Sequence, residues 1–108
     1  MKLNHLNLTV TDVNEAREFL EKYFDLQTKH TRGDLFDDNG LVLTLMKGIQ
    51  VSYPKTFHIG FLQESEERVN EINQRLKNDG FDVEPPKRAH GWTFYVKAPG
   101  GFNVEILC

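Results

Sequence analysis

The chain has 108 residues, of which 39% are apolar and 11% aromatic, so it holds enough core for one compact domain and is neither disordered nor fibrous. Its formal net charge of −3 is spread along the chain without a cluster of Lys and Arg, so we do not expect nucleic acid as a partner. No segment reaches the roughly 20 apolar residues of a membrane span, and no signal-peptide pattern opens the chain, so we expect a cytoplasmic protein without a membrane partner.

The first half of the chain has the pattern of a strand, an amphipathic helix and three short strands. Residues 3–10 are strand-like, and Thr11 and Asp12 are candidate N-caps for the helix that follows. Apolar side chains recur along this helix at helical spacing: Val13, Ala16, Phe19, Leu20 and Tyr23. Turn signals at 32–34 and 38–40 divide the rest into short pieces, and 41–46 is the clearest strand among them.

The second half repeats this order. Residues 57–62 form a predicted strand, and Glu64 or Ser65 caps a predicted helix that ends near Gly80. The apolar positions of this helix are Val69, Ile72 and Leu76. Short strands are predicted around 81–84, 93–97 and 103–107. The order βαβββ therefore occurs twice.

Two fixed offsets align the halves. A shift of 53 positions maps His5 onto His58 and keeps the strand and the helix in one register. At the end of each half, a shift of 61 positions maps Thr44 onto Glu105. Such agreement is more than composition alone would give, so the sequence indicates an internal duplication.

Strand alternation predicts which way the repeated residues point. Neighbouring side chains of a strand face opposite sides of the sheet, and the apolar alternates must face the helices. His5, His58 and Glu105 then lie on sheet faces that no helix covers. Two imidazoles and one carboxylate are a ligand set suited to a divalent ion of the middle of the first transition row, with positions left open for substrate. The alternative is that each is an ordinary hydrogen-bonded strand residue, which is the commoner role of a lone histidine.

Three stretches carry a family resemblance. Residues 4–12 open a strand into a helix, 57–61 repeat that strand, and 94–105 join two strands through a Pro-Gly-Gly turn. Together they resemble the vicinal-oxygen-chelate superfamily, which includes glyoxalase I, extradiol dioxygenases, fosfomycin-resistance enzymes, methylmalonyl-CoA epimerase and bleomycin-resistance proteins. The resemblance covers essentially the whole chain.

The resemblance implies an α+β fold of two tandem βαβββ modules that form a half-barrel cleft. It implies one domain over 1–108, with modules at about 1–50 and about 55–108, and a homodimer whose modules pair within one chain or across two. It also implies a divalent metal, either Fe, Mn, Ni or Zn, on the residues that match the family's ligands: His5, His58 and Glu105.

The subfamilies differ at Thr44. Glyoxalase I uses a second carboxylate where this chain has Thr44, and a hydroxyl is a poor substitute for an anionic ligand or base. The three-ligand set is more similar to the sets of two other subfamilies. The first is the fosfomycin enzymes, which have a C-terminal extension that we do not expect here, since the chain stops at Cys108. The second is the extradiol dioxygenases. The latter use His and Tyr as acid and base, roles that His90, Tyr95 or His30 would fill.

We therefore predict a metal-dependent enzyme of lyase, thiol transferase or dioxygenase type, acting on a small substrate through vicinal oxygens. The alternative is a metal-free protein that sequesters a ligand, as the bleomycin-resistance proteins do. The predicted catalytic residues are Glu105, His90 and Tyr95. The predicted substrate-binding residues are Asn7, Thr9, Thr44, Trp92 and Arg88. For this second group a solvated strand face, a solvated loop or an aromatic core residue is the plain alternative.

Overall fold

A computed structural model describes residues 1–28 and 34–108, which contain two helices and eight strands. His30 and most of the predicted turn at 32–34 lie outside these residues. The chain divides into two compact units. The first unit is Met1–Tyr53 with Pro99–Gly101, and the second unit is Pro54–Ala98 with Phe102–Cys108. Among the described residues, no helix has the length and apolar character needed to cross a membrane.

The first unit is one βαβββ module. Its elements are β1 (His5–Val10), α1 (Val13–Phe24), β2 (Gln27–Thr28), β3 (Asp34–Phe36) and β4 (Val42–Lys47). The strands form one sheet in the order β1-β4-β3-β2, in which β1 and β4 are parallel and the other pairs antiparallel. β1 is thus an edge strand, and β4 lies beside it.

α1 forms where the sequence places an N-cap before an apolar stripe. The side chain of Asp12 accepts a hydrogen bond from the backbone N–H of Glu15, which satisfies one of the free donors of the first turn. The helix ends at Phe24, and Asp25 takes a left-handed conformation with φ 56°. The buried side chains of the helix lie along one face: Ala16, Phe19, Leu20 and Tyr23. The sheet supplies the facing core residues Leu8, Val10, Leu35, Leu43 and Leu45.

The second unit is a second βαβββ module. Its elements are β5 (His58–Leu62), α2 (Glu66–Asn78), β6 (Lys87–Arg88), β7 (Trp92–Lys97) and β8 (Asn103–Leu107). The sheet order is β5-β8-β7-β6, again with one parallel pair, β5 and β8. Ser65 caps α2 by accepting from the N–H of Arg68, and Gly80 follows the helix with φ 93°.

The strand registers confirm the repeat and the α+β class. In the first unit His5 pairs with Val42 and Asn7 with Thr44. In the second unit the residues 53 and 61 positions later do the same, so that Gly60 pairs with Glu105. That the two units together make one domain stays a prediction.

The predicted strand at Phe81–Glu84 is wrong, because the hydrogen bonds of this segment go to α2 instead of a neighbouring strand. The N–H of Phe81 donates to the carbonyl of Leu76 and closes the end of the helix. The side-chain amide of Asn73 donates to the carbonyl of Glu84. The strand begins later, at Lys87, beyond two prolines that have no N–H to give to a sheet.

Candidate metal and substrate site

Glu105 is the polar centre of the second unit. It lies in the middle of β8, between Val104 and Ile106, which are both fully buried. Its own side chain points to the opposite face of the sheet, where the register sets it between Gly60 of β5 and Tyr95 of β7. Only 4% of Glu105 is exposed, which is rare for a carboxylate unless its oxygens have partners.

Four side chains supply those partners. Thr93 Oγ1 donates to Oε2 of Glu105 over 2.6 Å, and His90 Nε2 lies 2.5 Å from the same oxygen. His58 Nε2 lies 3.2 Å from the other oxygen, Oε1. The Tyr95 hydroxyl also donates to the carboxylate. The structure therefore gathers four predicted site residues, His58, His90, Tyr95 and Glu105, and adds Thr93.

These contacts decide the charge of Glu105. Burial by itself would raise the pKa of the carboxyl, but the hydrogen bonds from Thr93, His90 and Tyr95 outweigh it and hold the pKa below the ordinary value of 4.5. Glu105 is therefore a carboxylate at neutral pH. Burial and the neighbouring carboxylate raise the pKa of Tyr95 above 10.0, so its hydroxyl stays protonated and donates.

The two predicted histidine ligands are held in the same way, each within its own unit. His58 Nδ1 lies 3.0 Å from the carbonyl oxygen of Thr56, and His5 Nδ1 lies 2.7 Å from Oδ1 of Asn4. Both oxygens only accept hydrogen bonds, so Nδ1 carries the proton in each ring and Nε2 is available as a ligand. Metal-binding histidines usually have this second-nitrogen anchor.

His90 reaches Glu105 from the tip of a hairpin. Arg88 of β6 pairs with Trp92 of β7, which leaves a loop of three residues with His90 at its centre. The N–H of Ala89 donates to the carbonyl of Gly91 and closes this loop. A side chain on Gly91 would come within 2.7 Å of the Cys108 carbonyl oxygen, so the hairpin needs glycine there.

Two predicted substrate-binding residues, Arg88 and Trp92, are not brought to Glu105. Trp92 precedes Thr93 by one position, so its side chain takes the other face of the sheet and donates to Oδ1 of Asn70 on α2 over 2.8 Å. Arg88 pairs with Glu66 at 2.6 Å and lies over the Trp92 ring, 5.2 Å from its centre. These contacts are those of a surface cluster that fixes α2 against its sheet.

In the first unit the position that corresponds to Glu105 has its own polar pair. Thr44 Oγ1 donates to Oδ1 of Asp34 over 2.9 Å, and the two residues are register partners on β4 and β3. Asn7 of β1 pairs with Thr44 from the other side, so it shares that face. The backbone N–H and carbonyl of Thr9 both bond the hydroxyl of Tyr53 at 2.8 Å, and Thr9 is exposed.

Sequence reasoning missed Asp34 and Thr93. The sequence pattern places Asp34 in a turn and Thr93 at the start of a strand, and it assigns neither of them to the site. The signal that finds both is register, since each is opposite or diagonal to an already suspected residue on the neighbouring antiparallel strand.

Comparison with known proteins agrees with this arrangement of elements. Residues 2–106 match the Glyoxalase/Bleomycin resistance protein/Dioxygenase superfamily. The chain belongs to this superfamily. The resemblance to the vicinal-oxygen-chelate proteins is thereby confirmed.

Proteins and solved structures of known members are similar to this chain. The fosfomycin resistance protein FosX of Listeria innocua is 30% identical over 94 residues, which cover 79% of this chain and 70% of FosX. The structure of a possible glyoxalase from Bacillus cereus is 62% identical, with a TM-score of 0.96 over 100% of this chain and 99% of that one. A FosX mutant of Listeria monocytogenes, in complex with Mn(II) and 1S,2S-dihydroxypropylphosphonic acid, is 23% identical and shares the fold. Its TM-score is 0.84, over 99% of this chain and 91% of that one.

A divalent metal ion is the cofactor that the superfamily resemblance implies, and the donors of the second unit suit one. An imidazole nitrogen and a carboxylate are a set that Mn, Fe, Ni and Zn accept. Nε2 of His58 and Oε1 of Glu105 stand 3.2 Å apart, so these two donors are close enough to share one cation. Within residues 1–28 and 34–108, however, no three His, Cys, Asp or Glu side chains are grouped as a ready metal cluster.

Proposed function

We propose that this superfamily member is a metal-dependent enzyme that acts on a small substrate through two neighbouring oxygens. On the superfamily resemblance, its proposed metal ligands are His5, His58 and Glu105. The observation that carries the proposal is the matched state of the two histidines, each with Nδ1 anchored by an oxygen, together with a buried, ionised Glu105. The assignment of His5 as a ligand has further support from the repeat, since His5 occupies in the first sheet the register position that His58 occupies in the second.

A bound divalent ion would supply a Lewis acid that polarises a substrate oxygen. The residues of the chain would do the rest. Glu105 keeps its negative charge because Thr93, His90 and Tyr95 donate to it, so it remains a ligand and does not take up a proton. His90 is more than half exposed, with 55% of its side chain open to solvent, and it would move protons between the site and water.

Tyr95 would orient the substrate. Its hydroxyl stays protonated, and its ring meets His58 edge-on with 5.4 Å between the ring centres. The hydroxyl gives its one proton to Glu105, so its oxygen would accept a hydrogen bond from a substrate hydroxyl. Asn7, Thr9 and Thr44 stay proposed substrate-binding residues on the resemblance alone. The contacts of Arg88 and Trp92 with α2 give no support to that role for them.

The relatives guide the choice of ion and substrate. The FosX mutant was crystallised with Mn(II) and a phosphonate that carries two vicinal hydroxyl groups, so Mn(II) is the first ion to test and phosphonates the first substrates. Fe, Ni and Zn, and reactions of the lyase, thiol transferase and dioxygenase types, are the further candidates. We also propose a cytoplasmic homodimer with one domain per chain, on the resemblance alone.

The test is metal stoichiometry followed by turnover. Metal-free protein is incubated with Mn(II), Fe(II), Ni(II) or Zn(II), separated from free ion and analysed for bound metal. We expect one ion per chain in the parent, and loss of binding in His5→Ala, His58→Ala and Glu105→Gln. His90→Gln is the matched control, because His90 contacts Glu105 but is not a proposed ligand.

Loaded protein is then screened for turnover of fosfomycin, methylglyoxal–thiol adducts and catechols. One positive class identifies the reaction type. A parent that binds none of the four ions would overturn the proposal in favour of a metal-free protein that sequesters its ligand.

A further inference from the structure

Gly60 stands beside Glu105 on the sheet face that carries the candidate site. It is the central residue of β5 and the register partner of Glu105, with His58 two residues before it and Leu62 two residues after it on the same face. Glycine in the middle of a strand weakens it and has no side chain to pack. Such a residue therefore needs a reason.

Packing within the described structure does not supply that reason. A Cβ built on Gly60 meets only Cδ2 of Leu107 at 3.7 Å and the carbonyl oxygen of Glu105 at 4.0 Å, which are ordinary contacts. By contrast, a Cβ on Gly91 or Gly100 would come within 3.0 Å of a neighbouring atom. The backbone of Gly60 is also not left-handed, in contrast to that of Gly80 and Gly100. Alanine would fit at position 60 without strain.

The space above Gly60 has one polar end and one apolar end. On the polar side are Glu105 and Nε2 of His58. On the apolar side are Leu62, 78% exposed, and Leu107, which is partly exposed. The Tyr95 ring, 45% exposed, borders the same face across β8. A molecule lying here would present oxygens to one end and carbon to the other.

We propose that Gly60 is a specificity-determining residue that leaves room for the carbon part of the substrate directly beside Glu105. The substrate class is a small chelating molecule with two neighbouring oxygens and a short alkyl group, the alkyl group lying over Gly60 toward Leu62 and Leu107. This inference rests on the proposed function, since the metal holds the oxygen end. In the first unit the equivalent position is Asn7, whose side chain occupies the corresponding place on its own sheet.

The experiment uses the full chain loaded with Mn(II) and acetohydroxamate as the probe, because a hydroxamate chelates through two neighbouring oxygens and carries a methyl group. Three proteins are compared: the parent, Gly60→Ala and Gly60→Val. The affinity for Mn(II) alone is measured first, by the Mn(II) spin-resonance signal, and the affinity for acetohydroxamate second, by calorimetry. Circular dichroism and thermal unfolding show that each variant is folded, and Gly60→Ser replaces Gly60→Val if the latter is not.

We expect Mn(II) affinity to be unchanged in all variants. Affinity for acetohydroxamate should fall about tenfold or more in Gly60→Ala, the effect of one misplaced methyl group in a close-fitting pocket, and further in Gly60→Val. Propionohydroxamate should show a larger loss than acetohydroxamate, because its alkyl group is longer.

Three results would overturn the inference. A parent that binds Mn(II) but no hydroxamate would show that the space does not accept a chelating molecule. Equal hydroxamate affinities in the parent and in Gly60→Ala would show that Gly60 does not limit it. A variant that changes only the oligomeric state would show that another chain, and not substrate, lies over Gly60. Failure of the proposed function is distinct from all three, because it appears as a parent that binds no metal.

Discussion

The two units share one fold but place their carboxylates differently. In each, a hydroxyl and a carboxylate face each other across the antiparallel strand pair that ends the module. In the second unit the carboxylate, Glu105, is on the strand next to the histidine strand, and the hydroxyl belongs to Tyr95. In the first unit the roles are exchanged: Thr44 gives the hydroxyl and Asp34 the carboxylate.

This exchange moves the acid by one strand, which has a chemical consequence. β8 is hydrogen-bonded to β5, so Glu105 reaches His58 at 3.2 Å. β3 is separated from β1 by β4, so Asp34 stands two strands away from the strand that carries His5. The two units thus repeat the same backbone geometry. They differ in which of the two paired strands carries the carboxylate, and only the second unit has the contact between an imidazole and a carboxylate.

The largest expected difference between the units is in stability. Glu105→Ala removes a buried carboxylate and leaves Thr93 without its partner, so we expect the free energy of unfolding to fall by about 3 kcal/mol. Asp34→Ala removes a less buried group with one hydroxyl partner and should cost about 1 kcal/mol. Urea unfolding of metal-free protein measures both. Equal losses would contradict the distinction drawn between the two carboxylates.

The second difference is in pH dependence. The pKa of Glu105 is lower in the folded chain than its ordinary 4.5, so its charge contributes stability that is present above pH 4.5 and is lost as the pH falls through the folded pKa. In metal-free protein, Glu105→Gln should therefore flatten the decline of the free energy of unfolding below pH 4.5. Thr44→Val is the control, and its curve should run parallel to that of the parent. A Glu105→Gln curve parallel to that of the parent would show that the pKa is not lowered.

A matched pair of threonines gives a smaller effect. Thr93→Val removes one donor to Glu105 and keeps the side-chain shape, so it should cost about 1.5–2 kcal/mol, the value of a buried hydrogen bond to a charged group. Thr44→Val removes the corresponding donor to Asp34 at a less buried site and should cost about 0.5 kcal/mol. The same unfolding measurement applies, and a larger loss in Thr44→Val would reverse the comparison.

The smallest expected difference between the units concerns the helix caps, which the units have in common. Asp12 and Ser65 each accept from a backbone N–H in the first turn of their helix. Asp12→Ala and Ser65→Ala should each lower the free energy of unfolding by about 1 kcal/mol. Urea unfolding measures both losses. Near-equal losses would show that the caps stabilise the two units to the same extent, whereas the two carboxylates do not. A cap worth nothing in one unit would contradict this.

Most of the fold was predictable because its signals are local. Alternation gave the strands, the stripe and caps gave both helices, and the offset of 53 gave the register of His5 and His58. The strand at 81–84 failed because apolar alternation there serves the end of α2, where Phe81 closes the helix. Alternation by itself does not distinguish a strand from a segment packed beneath a helix.

The surroundings of Glu105 were less predictable. The contact with His90 depends on a three-residue hairpin loop, and a shift of β6 by one position would move His90 to another place. The pairing of Asp34 with Thr44 depends on the turn between β3 and β4, which fixes the register of the two strands. Asp37 closes this turn by accepting hydrogen bonds from the N–H groups of Asn39 and Leu41. The sequence pattern did not predict this register, so Asp34 was missed. Side-chain proximity across strands follows register, which sequence gives only where a repeat or a short turn fixes it.

The most direct test of the central claim is the count of imidazole ligands on bound Mn(II). Protein containing ¹⁵N-labelled histidine is loaded with Mn(II), and electron spin-echo modulation measures the nitrogen couplings. We expect coupling to two histidine nitrogens in the parent and in His90→Gln, and to one in His58→Ala. Absence of nitrogen coupling in the parent, or a parent-like signal in His58→Ala, would contradict the account.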